Sequence, residues 1–323
     1  VLQIQNIAFD YLVGAQLEGF ETMVSFSNAP IMVIEGDEYL SSPIDRRPKF
    51  LWYKPHIAVL SGVAWDHINV FPTFENYVEQ FEIFIKMITN GGILVYNEDD
   101  SEVKRVAEAA SNPIRKLPYS TPEYTVKDGV TLLETPEGAM PIEVFGAHNL
   151  NNLAGAKWIC QNMGVDEADF FEAISSFSGA SKRLEKLVSN SKCAVYKDFA
   201  HSPSKVKATT DAVKAQYPSR KLVACLELHT YSSLDSEFLN QYKGSLDAAD
   251  QAVVFYSPHS VKIKKLKSVS KDQIELAFKR NDLIIYTNAD DFKEFITSLV
   301  TTAIYTQLYI TYCKVSREMH LMT

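Results

Sequence analysis

In the stretch "PIMVIEGDEYLSSPID", four apolar residues, Ile31 to Ile34, run directly into three carboxylates, Glu35, Asp37 and Glu38. Acids this close together repel one another and call for a cation, a basic partner or water. Ligand sites of open α/β sheets lie beyond the carboxyl ends of the strands. Glu35 would end one such strand, and "GVAWDHINV", which follows another, presents Asp66 and His67. Two acids and a histidine at neighbouring strand ends suit a divalent cation. Oxygen donors favour Mg²⁺, which keeps several waters and shares its sphere with substrate phosphates. The alternative is a set of ordinary loop acids with a capping aspartate.

Three further stretches carry candidate chemistry. "FGAHNLNNLAGA" puts His148, Asn149 and Asn152 at a helix start, where free N–H groups and the positive dipole end favour anions. Asparagine side chains can both donate to and accept from an adenine edge; they also serve as N-caps. "YKDFAHSPSKV" ends a strand at Asp198 and turns through His201 and Pro203 into a helix. His201 there suits acid/base work or phosphate contact, or simply a capped turn. Arg183 in "SKRLEKL" could clamp a phosphate as a fork donor or pair with Glu185. A P-loop, G-x-x-x-x-G-K-[ST], is absent. "GAQLEGFE" has Gly14 and Gly19 but Phe20-Glu21 where Lys-Ser/Thr must stand.

The elements that must position these residues alternate between β-rich runs and helical patterns, which predicts an α/β fold with mostly parallel strands. "IMVIE" and "HIAVLSG" read as buried strands. "TFENYVEQFEIFIKMI" places Phe74, Tyr77, Val78, Phe81, Phe84, Ile85 and Ile88 on one helical face. Gly91-Gly92 stops that helix, and "ILVYN" follows as a strand. Residues 112–143, with "EYTV", "VTLLE" and "PIEVF", read as a small antiparallel patch. "HNLNNLAGAKWICQNMG" predicts a helix ended by Gly164, and "DEADFFEAISSF" another. The rhythm restarts near residue 193: "CAVYKDF", "KLVACLEL", "QAVVFY" and "DLIIY" as strands, with Ser204 to Gln216, "SEFLNQYKGSL" and "SKDQIELAFKR" as helices. This predicts a second, Rossmann-like domain with the boundary near Ser181, giving domains 1–180 and 181–323.

The 323 residues, 46% hydrophobic and 22% charged, fit a globular protein with a sizeable core. A net charge of −8 argues against a nucleic-acid partner. The one dense basic stretch, Lys262, Lys264, Lys265 and Lys267, reads as a solvated face rather than a phosphate patch. Cys160, Cys193, Cys225 and Cys313 lie far apart and show no metal spacing, which reads as buried thiols in a reducing, cytoplasmic setting. No apolar run reaches the ~18 residues of a membrane span. No signal-peptide pattern opens the chain, and the missing Met start reads as a fragment.

Taken in order, "VIEGDEY", "DHINVF", "FGAHNLNNLAGA", "SKRLE" and "DFAHSPSKVKAT" resemble the Mur ligase family, the ATP-dependent amide-forming enzymes of peptidoglycan synthesis. The resemblance covers roughly residues 10–260. "IDRRPKFLWYKP" is most similar to the murein peptide ligase branch, with the UDP-N-acetylmuramate–L-alanine ligases as near relatives. It implies most of a central ATPase domain followed by a C-terminal Rossmann-like domain. It also implies that this chain starts after the P-loop helix, lacks the N-terminal UDP-binding domain, and does not turn over by itself.

By the same resemblance Glu35 matches a Mg²⁺ ligand and His67 a second-metal ligand. Asn149 and Asn152 match adenine-side residues, and Arg183 matches an arginine that reaches ATP. Asp198 and His201 match a group that closes onto nucleotide and substrate. The implied cofactors are ATP and Mg²⁺; the implied partners are UDP-N-acetylmuramate and an amino acid or peptide. The implied reaction runs through an acyl phosphate, gated by closure near Ser181. Phe81 stands where some members carry a carbamylated lysine, so no carbamate is expected. Thr230 in "HTYSS" stands where alanine-adding relatives have arginine, which leaves the amine substrate open. The ending "TTAIYTQLYITYCKVSREMHLMT" departs from the family and reads as a frameshifted or divergent tail. Two other readings remain: a non-catalytic nucleotide-binding fragment, and a ligase like folylpolyglutamate synthetase, against which "IDRRPKF" argues.

Overall fold

The computed structural model describes residues 1–14, 20–180, 183–190, 193–303 and 308–313, with side chains described through residue 299. The chain divides into two compact units, Val1–Ser178 and Gly179–Thr323. Ser181, the expected boundary, lies outside the described residues. Among the described residues no helix is long and apolar enough to cross a membrane.

The first unit opens with strands β1 (Phe9–Leu12), β2 (Val24–Ser25) and β3 (Ile31–Ile34), in the order β2-β1-β3. β3 runs parallel to β1, with Leu12 opposite Ile34. The expectation of a buried strand at "IMVIE" is not met: Met32 and Val33 remain 37% and 38% exposed. This sheet has only three strands, so the apolar run is covered on fewer sides than a central strand would be.

Strand β4 (Ile57–Leu60) leads to helix α1 (Phe74–Met87), strand β5 (Ile93–Asn97), helix α2 (Ser101–Ala109) and strand β6 (Arg115–Tyr119). The three strands form a separate parallel sheet, β4-β5-β6. α1 starts where the Thr73 hydroxyl accepts the Asn76 N–H at 3.2 Å, an N-cap of the ordinary kind. Its predicted apolar face packs inward: Tyr77, Val78, Phe81, Phe84 and Ile85 are buried. Phe81 lies 5.5 Å from Phe50 and 5.0 Å from Tyr77, ring to ring. The position read as replacing a lysine is thus an aromatic core position, worth roughly 1.5–3 kcal/mol of burial. Gly91, at φ +79°, turns the chain out of α1 toward β5.

The antiparallel patch is present as β7 (Tyr124–Lys127), β8 (Val130–Thr135) and β9 (Gly138–Ile142). β9 begins earlier than "PIEVF", which it includes only in part. Helix α3 (Ala147–Asn162) ends ahead of Gly164, at φ +90°, and α4 (Glu167–Ser175) closes the unit.

The second unit is built on one sheet. Its elements are β10 (Glu185–Ser189), β11 (Cys193–Asp198), α5 (Pro203–Gln216), β12 (Lys221–Leu228), β13 (Gln251–Tyr256), α6 (Pro258–Ile263), α7 (Lys271–Phe278), β14 (Ile284–Tyr286), α8 (Ala289–Ala303) and β15 (Leu308–Cys313). The strand order is β10-β11-β15-β12-β13-β14, parallel except for β10. Buried Val195, Val223, Cys225, Val253 and Phe255 pack with Phe292 and Ile296 of α8. Cys160, Cys193 and Cys225 are free and buried, and burial pushes the Cys225 thiol up to about 12. The side chain of Cys313 lies outside the described residues.

Two expectations change here. "SEFLNQYKGSL" forms a short 3₁₀ turn, Phe238–Tyr242, rather than an α-helix. Gly244, at φ +76°, stops propagation, while Phe238, Leu239 and Tyr242 are buried without a full helical turn beyond them. Part of the tail read as divergent, Leu308–Cys313, pairs between β11 and β12; residues 314–323 lie outside the described residues.

Candidate functional site

The acidic loop is held from several sides. The Gly14 N–H donates to Glu35 Oε2 at 2.6 Å. The Lys49 ammonium donates to Asp37 Oδ2 at 2.6 Å, and this bond raises the Lys49 pKa. Glu38 Oε1 accepts from the Tyr77 hydroxyl at 3.3 Å and lies 3.5 Å from His67 Nε2. The Tyr39 ring meets the His67 ring edge-on at 4.9 Å, and Asn69 donates to the Tyr39 hydroxyl at 3.2 Å. His67 adopts φ +55°, an uncommon conformation for a residue with a side chain. Its N–H donates to Asp66 Oδ1 at 2.7 Å.

Glu35 and His67 therefore do not close adjacent strands of one sheet. β3 belongs to β2-β1-β3, and β4 belongs to β4-β5-β6. What joins the two loops is Glu38, three residues beyond Glu35. Among the described residues no group of three or more His, Cys, Asp or Glu gathers at metal-holding distance. A histidine beside one carboxylate, with a second carboxylate on the same loop, is too sparse for an all-protein cage. It fits a Mg²⁺ that keeps most of its sphere for water and phosphate oxygens.

The start of α3 is the second assembly. Gly146 is its N-cap, at φ +88°, and no side-chain cap bond closes the first turn. Asn149 turns back along the chain, its Nδ2 donating to the Phe145 carbonyl at 2.8 Å. Asn152 is exposed. Between them, Asn151 is buried, and its Nδ2 reaches Asn97 Oδ1 at 3.0 Å, Thr121 Oγ1 at 3.2 Å and Asp99 Oδ2 at 3.4 Å. Asn97 donates on to the Ser61 carbonyl at 2.9 Å. Asp100 accepts the Val63 N–H at 3.1 Å while capping α2 through the Glu102 and Val103 N–H groups. One network thus ties the carboxyl ends of β4, β5 and β6 to the first turn of α3.

In the second unit Asp198 is buried. Its Oδ2 accepts the Leu184 N–H at 2.7 Å, and its Oδ1 accepts the Ala200 N–H at 2.6 Å and the Thr209 hydroxyl at 3.4 Å. Leu184 sits at φ +48°, so Asp198 fixes the turn that carries Arg183. The Arg183 guanidinium lies 5.4 Å from the centre of the Phe199 ring; among the described residues it forms no ion pair with Glu185. His201 Nδ1 is 2.9 Å from the Phe199 carbonyl, and its ring meets that of His229 at 5.9 Å. The Tyr242 hydroxyl donates to the His201 carbonyl.

The structure thus groups Asp198, Arg183 and His201 around Phe199, and it groups His67 with the acidic loop. Three contributors were not read from the sequence: Glu38, Asn151 and His229. Glu38 was visible only as one acid of three. Asn151 had a signal, because it shares the buried stripe of α3 with Leu150, Ala154 and Gly155, where a polar side chain needs partners.

Residues 20–160 match the Mur ligase middle domain. The chain is 27% identical over 293 residues to the UDP-N-acetylmuramate–L-alanine ligase of Caldicellulosiruptor bescii, covering 86% of this chain and 62% of that protein. It is 26% identical over 263 residues to the UDP-N-acetylmuramate–L-alanyl-γ-D-glutamyl-meso-2,6-diaminoheptandioate ligase of Escherichia coli, covering 77% of this chain and 56% of that protein. The chain therefore spans about three fifths of the length of these curated relatives. The crystal structure of the MurF ligase of Thermotoga maritima in complex with ADP shares the fold at a TM-score of 0.67, with 18% identity, covering 97% of this chain and 71% of that one. The ordered motifs, the matched middle domain and the shared fold agree: residues 20–160 match a Mur ligase middle domain, and the chain as a whole is similar to Mur ligases.

Proposed function

We propose that the protein carrying this chain joins an amino acid or peptide to the carboxylate of UDP-N-acetylmuramate at the expense of ATP. The observation that supports this most directly is the contact between His67 and the acidic loop through Glu38, 3.5 Å long. It lies inside the stretch that matches the Mur ligase middle domain. In the proposed reaction a carboxylate oxygen of UDP-N-acetylmuramate attacks the γ-phosphorus of ATP, and ADP leaves. The amine then attacks the acyl carbon of the acyl phosphate, inorganic phosphate leaves, and the amine loses a proton.

Glu35, Glu38 and His67 would hold Mg²⁺, which when bound neutralises phosphate charge. The N–H groups at the start of α3 face the same need for negative charge. Asn149 and Asn152 are assigned to the adenine side, with Asn151 anchoring the helix that presents them. In the second unit Arg183 supplies a cation for the transferring phosphoryl group, on a turn fixed by Asp198 and Phe199. His201 is assigned to the incoming substrates. All of these act by fixed charge and position, the two largest sources of rate in phosphoryl and acyl transfer.

The test is phosphate release by the full-length protein with ATP, Mg²⁺, UDP-N-acetylmuramate and either L-alanine or L-alanyl-γ-D-glutamyl-meso-diaminopimelate. Release that requires the nucleotide sugar and one of the two amines supports the reading. Release indifferent to both would refute it.

A further inference from the structure

Of the four crowded lysines, the structure sets one apart. Lys262, Lys265 and Lys267 are exposed, whereas Lys264 is half-buried. Its Nζ lies 4.3 Å from the centre of the Tyr231 ring. Among the described residues no carboxylate pairs with it. Tyr231 is itself 45% exposed. It follows the end of β12, while Lys264 is the C-cap of α6, the helix that follows β13. β12 and β13 are parallel neighbours, with Leu228 opposite Tyr256. Both side chains therefore stand at the carboxyl edge of the sheet, where open α/β sheets take ligands.

The support beneath them is local and specific. The Thr230 N–H donates to Ser233 Oγ at 2.9 Å, and the Ser233 N–H donates to Thr230 Oγ1 at 3.0 Å. This reciprocal pair closes the turn that presents Tyr231. His229, two residues earlier, meets His201 across the same edge. An ammonium resting on an aromatic face has its stem and one side fixed, and it keeps three N–H donors for an anion.

We propose that Lys264, seated on Tyr231, binds a carboxylate of the incoming amine substrate and so sets which amines are accepted. The proposal rests on the ligase reading above. That reading assigns the phosphates to the acidic loop, the start of α3 and, in the second unit, Arg183. Lys264 is then left for the other anion of the reaction, the carboxylate of the amino acid or peptide.

The test uses the full-length enzyme with L-alanine and the tripeptide as acceptors, each beside its carboxamide form. Lys264→Met should raise KM for the preferred acceptor about 10- to 100-fold, the range of one lost charge-assisted hydrogen bond. kcat and the KM for ATP should stay within about twofold. Lys264→Arg should restore most of the affinity. Lys267→Met, which removes an exposed neighbour of the same charge, should change nothing. The carboxamide acceptor should be equally poor with wild type and with K264M. If K264M keeps the wild-type preference for carboxylate over carboxamide, or if K267M matches it, the proposal is overturned. Wild-type enzyme with no amine-dependent phosphate release would instead overturn the ligase reading, and this proposal with it.

Discussion

Replacing Asn151 by alanine tests whether the start of α3 is held by the buried network or only by its own helix. Asn151 Nδ2 reaches three acceptors, two of them within 3.2 Å. Its removal orphans none completely. Asn97 Oδ1 keeps the Asp99 N–H at 3.0 Å, and the Thr121 hydroxyl still donates to Asp99 Oδ2 at 2.9 Å. The cost is therefore that of lost buried hydrogen bonds plus a small cavity, about 2–3 kcal/mol. In a unit of this size each 1 kcal/mol lowers Tm by about 2–4 °C, so the drop should be about 4–12 °C. Urea unfolding measures it, with an unchanged m-value showing that the native and unfolded states are otherwise alike. Asn152→Ala removes an exposed side chain and should stay within about 0.5 kcal/mol of wild type, while weakening nucleotide binding. If N151A is as stable as N152A, the network does not anchor the helix and the division of labour between the two asparagines is wrong.

Asp198→Asn puts an NH₂ group or a poorer acceptor against backbone N–H donors of Leu184 and Ala200. It should destabilise the second unit by about 1–3 kcal/mol in thermal or urea unfolding; a neutral effect would mean that the Arg183 turn is held by something else. Gly92→Ala should cost about 3 kcal/mol or more, because a Cβ there would lie 2.6 Å from the His56 carbonyl oxygen and 2.7 Å from that of Thr89; wild-type stability would show that the α1–β5 junction yields easily. Burial alone would raise the Asp250 pKa, but the Lys214 ammonium and the Leu222 N–H outweigh it and hold it below the usual carboxylate range. A depressed folded pKa gives stability that is present above the ordinary value of about 3.9 and is lost as pH falls through the lower folded value. Asp250→Asn should therefore flatten the fall of Tm below about pH 4; an unchanged acid limb would contradict the assignment.

How far the sequence could be read depended on how many elements decide each position. α1 was legible because a single amphipathic face repeats over its whole length, and the same held for the apolar strands β5, β12 and β13. Short elements were not. The 3₁₀ turn at Phe238–Tyr242 has apolar residues spaced as in a helix, yet Gly244 ends it before α-helical bonds accumulate. The "IMVIE" strand is apolar without being buried, because burial depends on how many layers cover it and not on its own composition. Within the candidate site, residue types were informative and residue choice was not. Three acids within four positions could not say that Glu38, rather than Glu35, reaches His67; that follows from where Tyr77 and Tyr39 place the loop. Asp198 could be singled out as special from its strand-end position. Only the structure shows its two oxygens engaged by the backbone of the Arg183 turn and of Ala200.

In the proposed reaction ATP activates the carboxylate of UDP-N-acetylmuramate as an acyl phosphate. The most direct measurement gives the full-length protein UDP-N-acetylmuramate labelled with ¹⁸O in that carboxylate, together with ATP, Mg²⁺ and the amine. The inorganic phosphate is then read by mass spectrometry. Activation as an acyl phosphate predicts one ¹⁸O atom transferred to each phosphate released, with ADP formed in equal amount. Label in AMP, or unlabelled phosphate accompanying amide formation, would contradict it.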